Sequence, residues 1–295
     1  MTDLARINNL FHEYSPTNVV LATKSNEAFA NEVFDITTAD NQRYFLKVLK
    51  TQHPDAIANE VIMQKRLLEA GITTPEYIEI APSQYVGQHE AERFIISNYI
   101  PGSSPKTVSL ELINSFGATL AKLHNCLDGV TIPDNDMQWL NPRKVKGDIT
   151  SYGGPVRPAL DNLFSYGSAI FDLHLPRAVT HGDLWLSNVF AEDDEITTVF
   201  DLETAEETAR IVDIARTYTS IRFNSNYPAD EVIDTLVDGY NSAAEQQLTH
   251  EELTHIKHAI VYVCAACATW HAVHGTRYRD PYILLADEIK AQNTR

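Results

Sequence analysis

One stretch leaves this chain little freedom. His181-Gly182-Asp183-Leu184-Trp185-Leu186-Ser187-Asn188 runs into the apolar pair Val189-Phe190, and Val199-Phe200-Asp201-Leu202-Glu203 closes the next apolar run. Two short strands, Val189-Phe190 and Ile196 to Phe200, are expected around a turn at residues 191–195. A loop that puts an Asp, an Asn five residues later and a second Asp at a strand end must be a rigid turn if those groups converge, and a plain turn with an ordinary strand-end carboxylate if they do not. Taken singly, each residue fits the plain reading. Taken together, His-x-Asp-x4-Asn followed thirteen residues later by Asp-x-Glu is a specific pattern and favours the first.

The convergent reading has a chemistry. A phosphoryl-transfer site needs one carboxylate to accept or orient a hydroxyl and oxygen donors to hold a metal against phosphates, all on a stiff support. Asp183 fits the catalytic role, and Asn188 and Asp201 the metal roles. HGDLWLSNVF, VFDLE and Asp213-Ile214-Ala215-Arg216 resemble the aminoglycoside phosphotransferase superfamily, which includes choline kinase-like, ketosamine kinase-like and homoserine kinase-like members. Gly182 and Asp201-Leu202-Glu203 stand where protein kinases usually carry Arg and Asp-Phe-Gly, and no activation segment is recognisable between Asp201 and Asp213. Small substrates are therefore expected. The resemblance implies an α+β, bilobal protein kinase-like fold. Residues 1–98 would form a small antiparallel-sheet lobe with one main helix, and residues 99–295 a larger, mostly helical lobe carrying the catalytic loop and substrate pocket. ATP and Mg2+ are the implied cofactors.

In the first half, strands are expected at Val19 to Thr23, Glu32 to Thr37 and Tyr44 to Leu49 after a short amphipathic helix, Thr2 to Tyr14. Lys47 interrupts an apolar strand, and the resemblance makes it the residue that reaches nucleotide phosphates. Its implied partner is Glu60, on a helix over Asp55 to Ala70 that Gly71 ends. Between the first two strands, Lys24 to Asn31 lacks the glycines that let backbone amides approach phosphates closely. Ser25 and Asn26 are the candidates to contribute there. Strands around Glu76 to Ile80 and Arg93 to Ser97 lead into Asn98-Tyr99-Ile100-Pro101-Gly102. The resemblance makes this a hinge that reads adenine through backbone groups, with Asn98 and Ile100 as contacts.

Farther on, Leu110 to Cys126 has helical spacing, with His124 expected in the core. Residues 128–158 are rich in Pro, Gly, Asp and Asn and read as an irregular excursion, followed by a helix over Ala159 to Leu173. Asp213 is expected to be structural, holding the catalytic segment through backbone hydrogen bonds, as the resemblance implies. Helices fill the rest: Asp230 to Ala243, His250 to Val273 and Tyr282 to Ala291. Cys264-x2-Cys267-x3-His271-x2-His274 suggests zinc, but on one helix it forms a stripe about 15 Å long. Four ligands cannot converge on a tetrahedral ion from there, so the stripe is read as core.

Composition narrows the function classes. With 44% hydrophobic and 21% charged residues the chain is globular in type, and a formal charge of −17 disfavours nucleic acid or an anionic membrane as partner. Three cysteines make no secreted disulfide framework, and the sequence shows neither a leader pattern nor an apolar run of membrane-spanning length. A cytoplasmic monomer or homodimer acting on a small hydroxylated molecule is expected. The acceptor is left open between an amino acid or amino alcohol such as homoserine, which is preferred, and an aminoglycoside. A non-catalytic nucleotide-binding module is a further alternative. Gly239-Tyr240-Asn241-Ser242 and Leu248-Thr249-x2-Glu252-Leu253 resemble homoserine kinase-like members. Arg222, Arg277 and Arg279 are candidates to bind a carboxylate, whereas Asp230, Glu231, Asp234, Asp238 and Glu245 would suit a polycation.

Overall fold

In the computed structural model, residues 4–25, 31–50, 54–133 and 137–293 are described, and the chain divides into two compact units, Met1–Gly102 and Ser103–Arg295. The first unit holds α1 (Leu4–His12), β1 (Val19–Lys24), β2 (Glu32–Thr38), β3 (Arg43–Leu49), α2 (Pro54–Glu69), β4 (Gly87–His89) and β5 (Glu92–Asn98). Its strands form one antiparallel sheet in the order β1-β2-β3-β5-β4.

Strand alternation sorts the side chains of β3. Leu46 and Val48 join Phe94 and Ile96 in a core closed by Ile7, Leu10 and Phe11 of α1. Leu49 lies on the other face with Ile95 and with Ile57 of α2. Phe45 and Lys47 share that second face by the same alternation.

One expectation for this unit is corrected, and one strand was missed. Glu76 to Ile80 is not a strand. It is an irregular segment with one β-bridge to β5, Tyr77 to Ser97, and scattered hydrogen bonds to it, among them the Ile78 amide donating to Ile96 O. The outer strand is instead β4, too short and too polar to read from periodicity.

The second unit is mostly helical: α3 (Leu110–Cys126), α4 (Pro142–Ser151), α5 (Arg157–Gly167), α6 (Ile211–Asn224), α7 (Ala229–Ala243), α8 (His250–Val273) and α9 (Arg279–Asn293). The hairpin of β7 (Val189–Glu192) with β8 (Glu195–Val199) and the pair of β6 (Arg177–Thr180) with β9 (Glu206–Ala209) flank residues 181–188 and 200–205. Helices α3 and α7 pack closely because Gly239 has no side chain, and a Cβ there would lie 2.1 Å from Asn114 O. The start of α8 is fixed by a capping box between Thr249 and Glu252. Glu252 also forms a buried two-pronged pair with Arg210, at 2.7 and 2.8 Å.

Here too the sequence reading needs correction. The 128–158 excursion contains α4, whose signal was present: Asn141 caps it by accepting from the Arg143 amide, and Pro142 occupies its first turn. The helix expected over Ala159 to Leu173 ends at Gly167, and a 3-10 turn completes it at Ser168–Asp172. Helix α8 is long and apolar enough by length and composition to cross a membrane, so the statement that no run reaches that length was too strict. Of that apolar window, 67% is buried inside the protein, as in a core helix. Its cysteine–histidine stripe belongs only partly to the core. Cys264 and Cys267 are buried, while His271 is half-buried and His274 is exposed, its ring stacked on Trp270.

Candidate active site

The segment His181 to Asn188 has no sheet or α-helix to satisfy its backbone, so its polar groups need partners from elsewhere. Helix α6 supplies them from one face, at positions 213, 216, 217 and 220, the spacing of neighbours on a helix. Asp213 accepts from the His181 amide at 2.7 Å and the Gly182 amide at 2.9 Å. Thr217 donates its hydroxyl to Leu184 O at 2.9 Å, and Ser220 Oγ accepts from the Leu186 amide at 3.5 Å. The expected role of Asp213 is thus seen directly. His124 is in the core as expected: Nε2 lies 3.1 Å from Asp213 Oδ2, and Nδ1 lies 2.9 Å from the Tyr240 hydroxyl. Burial alone would push the Asp213 carboxyl up. The His124 bond and the nearby imidazoles outweigh it and hold the carboxyl below its ordinary value.

Further bonds tie this loop to the strand end that carries Asp201. His181 Nε2 lies 2.8 Å from Phe200 O, and its Nδ1 lies 3.2 Å from the Asp183 amide, which assigns the tautomer with hydrogen on Nε2. The Thr204 hydroxyl donates to His181 O at 3.0 Å, and the Phe200 amide donates to Asn188 O at 2.9 Å. Gly182 has φ +77°, and a Cβ on it would meet Thr204 O at 2.6 Å. Glycine is required on both counts.

Within this frame Asp183 and Asn188 touch. Asn188 Nδ2 donates to Asp183 O at 2.9 Å and lies 3.5 Å from Asp183 Oδ2. Asp201 is exposed and left-handed, with φ 63° and ψ 69°, a conformation that Asp tolerates better than most residues. The Asp183 carboxyl is pushed up by burial and by the charge of Asp201, against the pull of Arg216 and His181. Arg216 binds it, with Nε 2.9 Å and Nη2 2.7 Å from Oδ1. Burial alone would lower the guanidinium, but Asp183 holds it above its ordinary value. The rings of Trp139 and Trp185 lie 5.7 and 5.9 Å from its Cζ.

The remaining sequence-picked residues lie in the first unit. Lys47 pairs across the sheet with Val33 and Ile95. Glu60 is buried, and the Tyr77 hydroxyl donates to its Oε2 at 2.6 Å. The Ser25 amide donates to Val33 O at 2.8 Å. Asn98 is engaged with Glu76, donating its amide at 3.2 Å and accepting on Oδ1 at 2.6 Å, while Ile100 is buried. Asn26 lies outside the described residues.

Sequence reasoning missed Arg216 as the partner of Asp183 and Trp139 as a neighbour of Arg216. The only signal for Arg216 was its place one turn after Asp213, and Trp139 sat in the stretch read as irregular. The arginines singled out for a carboxylate have other partners: Arg222 lies beside Glu288 and donates to Tyr227 O, Arg279 pairs with Asp280, and Arg277 contacts Tyr278.

A family model described as the phosphotransferase enzyme family, APH, matches residues 23–253. The chain belongs to that family. Two curated homoserine kinases are similar to this phosphotransferase: that of Granulibacter bethesdensis is 27% identical over 70% of the chain, and that of Methylobacillus flagellatus is 24% identical over 73%. The matches span 65% and 68% of those proteins' own lengths. The phosphotransferase also shares its fold with an amicoumacin kinase solved in complex with AMP-PNP, Ca2+ and Ami. The TM-score is 0.75 at 17% identity, covering 98% of this chain and 91% of that one.

Proposed function

We propose that this phosphotransferase moves the γ-phosphoryl group of ATP to the hydroxyl of a small amino acid or amino alcohol, with homoserine the preferred acceptor. The observation that carries the reading is the cross-linked pair of segments holding Asp183, Asn188 and Asp201 in the second unit. Asp183 accepts or orients the hydroxyl proton. Its raised carboxyl favours that task, since a base is most effective when its pKa lies nearer the working pH.

Asn188 and Asp201 would hold Mg2+. The donor set suits it: a carboxylate, and an amide whose nitrogen is committed to Asp183 so that its oxygen remains to bind a cation. Once bound, the metal would neutralise charge developing on the phosphoryl oxygens. In the first unit, Lys47 is assigned to the phosphates and Glu60 to the ion pair that fixes its ammonium, with Ser25 and Asn26 as further contacts. Asn98 and Ile100 are assigned to the base, with Phe45, on the face of Lys47, offering an aromatic surface to it. We place the enzyme in the cytoplasm.

The preference for homoserine is supported by the two curated relatives. An antibiotic acceptor is the second reading, favoured by the fold shared with an amicoumacin kinase. A panel of L-homoserine, other hydroxylated amino acids, choline, sugars and aminoglycosides, read as ADP formed above the water-hydrolysis background with MgATP, separates them. Turnover of hydroxylated amino acids is expected, and turnover of aminoglycosides alone sinks the preference.

A further inference from the structure

We infer that Arg216 is a positioning residue for Asp183: its buried guanidinium fixes one carboxylate oxygen and so presents the other to the acceptor hydroxyl. The inference rests on the reading of Asp183 given above.

The contacts are one-sided. Nε and Nη2 both reach Oδ1, at 2.9 and 2.7 Å, instead of dividing between the two oxygens as in a fork-to-fork pair. Against Oδ2 there is Asn188 Nδ2 at 3.5 Å, the outer limit of a hydrogen bond. Oδ1 is therefore saturated, and Oδ2 keeps lone pairs for an incoming proton.

Exposure has the same asymmetry. The Arg216 side chain is 9% exposed and that of Asp183 26%, so the cation is sealed while the carboxylate, though largely buried, keeps some exposure. An ion pair built for stability alone has no use for that exposure, and buried pairs are in any case poor stabilisers compared with packed apolar groups.

The guanidinium is itself held. Nη1 donates to Thr219 Oγ1 at 3.3 Å, and Trp139 and Trp185 lie within about 6 Å of Cζ, in cation–π range. Asp213, three residues earlier on α6, holds the main chain of the loop. One helix thus fixes both the backbone of the catalytic loop and the rotamer of its acid. A lysine would supply charge without the planar two-donor edge.

A double-mutant cycle tests this. Arg216→Met, Asp183→Asn and the double variant are assayed with MgATP and L-homoserine, or with whichever panel member turns over fastest. Arg216→Met is expected to lower kcat about 10²-fold, the scale of an ångström-level misplacement, with KM for ATP changed less than about twofold. In the Asp183→Asn background the same substitution is expected to cost nothing further, because it acts only through the missing carboxylate. Millimolar methylguanidinium should restore part of the activity of Arg216→Ala. A wild-type kcat in Arg216→Met, or losses that multiply in the double variant, overturns the inference. Full activity in Asp183→Asn would instead remove the role of Asp183 itself. Should Arg216→Met melt below the assay temperature, the cycle is read on Arg216→Lys, where a wild-type kcat is equally fatal.

Discussion

Helices α6 and α8 are both buried through their central turns, yet they fill that space with opposite chemistry. From Ile211 to Ile221 every residue of α6 is buried, including Asp213, Arg216, Thr217, Thr219 and Ser220. In α8 the buried run from Ala259 to Thr269 is alanine, valine, isoleucine and cysteine, with two hydroxyls: that of Thr269 bonds back to Ala265 O, and that of Tyr262 donates to Leu140 O. The difference follows from what each helix faces. Helix α8 lies mainly against α5, α6 and α9, regular helices whose backbones are already satisfied, so a polar side chain finds few partners there, Tyr262 reaching the irregular segment at Leu140 being the exception. Helix α6 faces a loop with amides and carbonyls to spare. Burying polar groups is tolerable where an irregular backbone needs them, as the 181–188 segment does.

The contrast can be broken most severely at Asp213. Asp213→Ala would leave the buried amides of His181 and Gly182 and the His124 ring without their partner, and should cost about 3–5 kcal/mol, the range for breaking a buried charged network. Urea unfolding measures it, and a loss below about 1 kcal/mol would mean that the polar face of α6 is not what holds the loop.

The apolar helix should respond less. Cys264→Ser puts a hydroxyl among satisfied helices and is expected to cost about 1–2 kcal/mol in the same assay, with kcat unchanged. A fall in kcat at equal stability would show that α8 also steers the chemistry.

The smallest effect concerns the end of α8 and its pH dependence. Burial, aided by the charges of Arg216 and His274, lowers the His271 imidazole to about 4. An unfolded histidine takes up its proton near pH 6.5, so between 6.5 and 4 the unfolded chain binds more protons than the folded one. Stability is therefore lost as pH falls through that window and is fully present above it. The imidazole is only half-buried, which limits the loss to about 1 kcal/mol. Urea midpoints at pH 7 and 4.5 should differ less for His271→Gln than for the parent chain, and equal differences would place the pH response elsewhere.

How far the sequence could be read follows the same division. The α8 helix at 250–273, the β3 strand carrying Lys47 and the α2 helix carrying Glu60 were legible because local periodicity determines them. So were the turn at Asp183 and the backbone-holding Asp213, through their motif. Arg216 was not, because its meaning comes from a contact with Asp183 33 residues away, and an arginine on a helix looks like any surface charge until that contact is known. Trp139 was hidden by its loop, and β4 by having three residues to show its pattern.

The bonds between the 181–188 and 200–204 segments have a consequence for divergence within the family. Each ends on at least one main-chain atom, and at Gly182 the fit depends on the absence of a side chain. The spacing of Asp183 and Asp201 is thus anchored on main-chain atoms, with the His181 ring and the Thr204 hydroxyl as the two side chains that complete it. Side chains elsewhere in the unit can then change without altering how these two segments are held together.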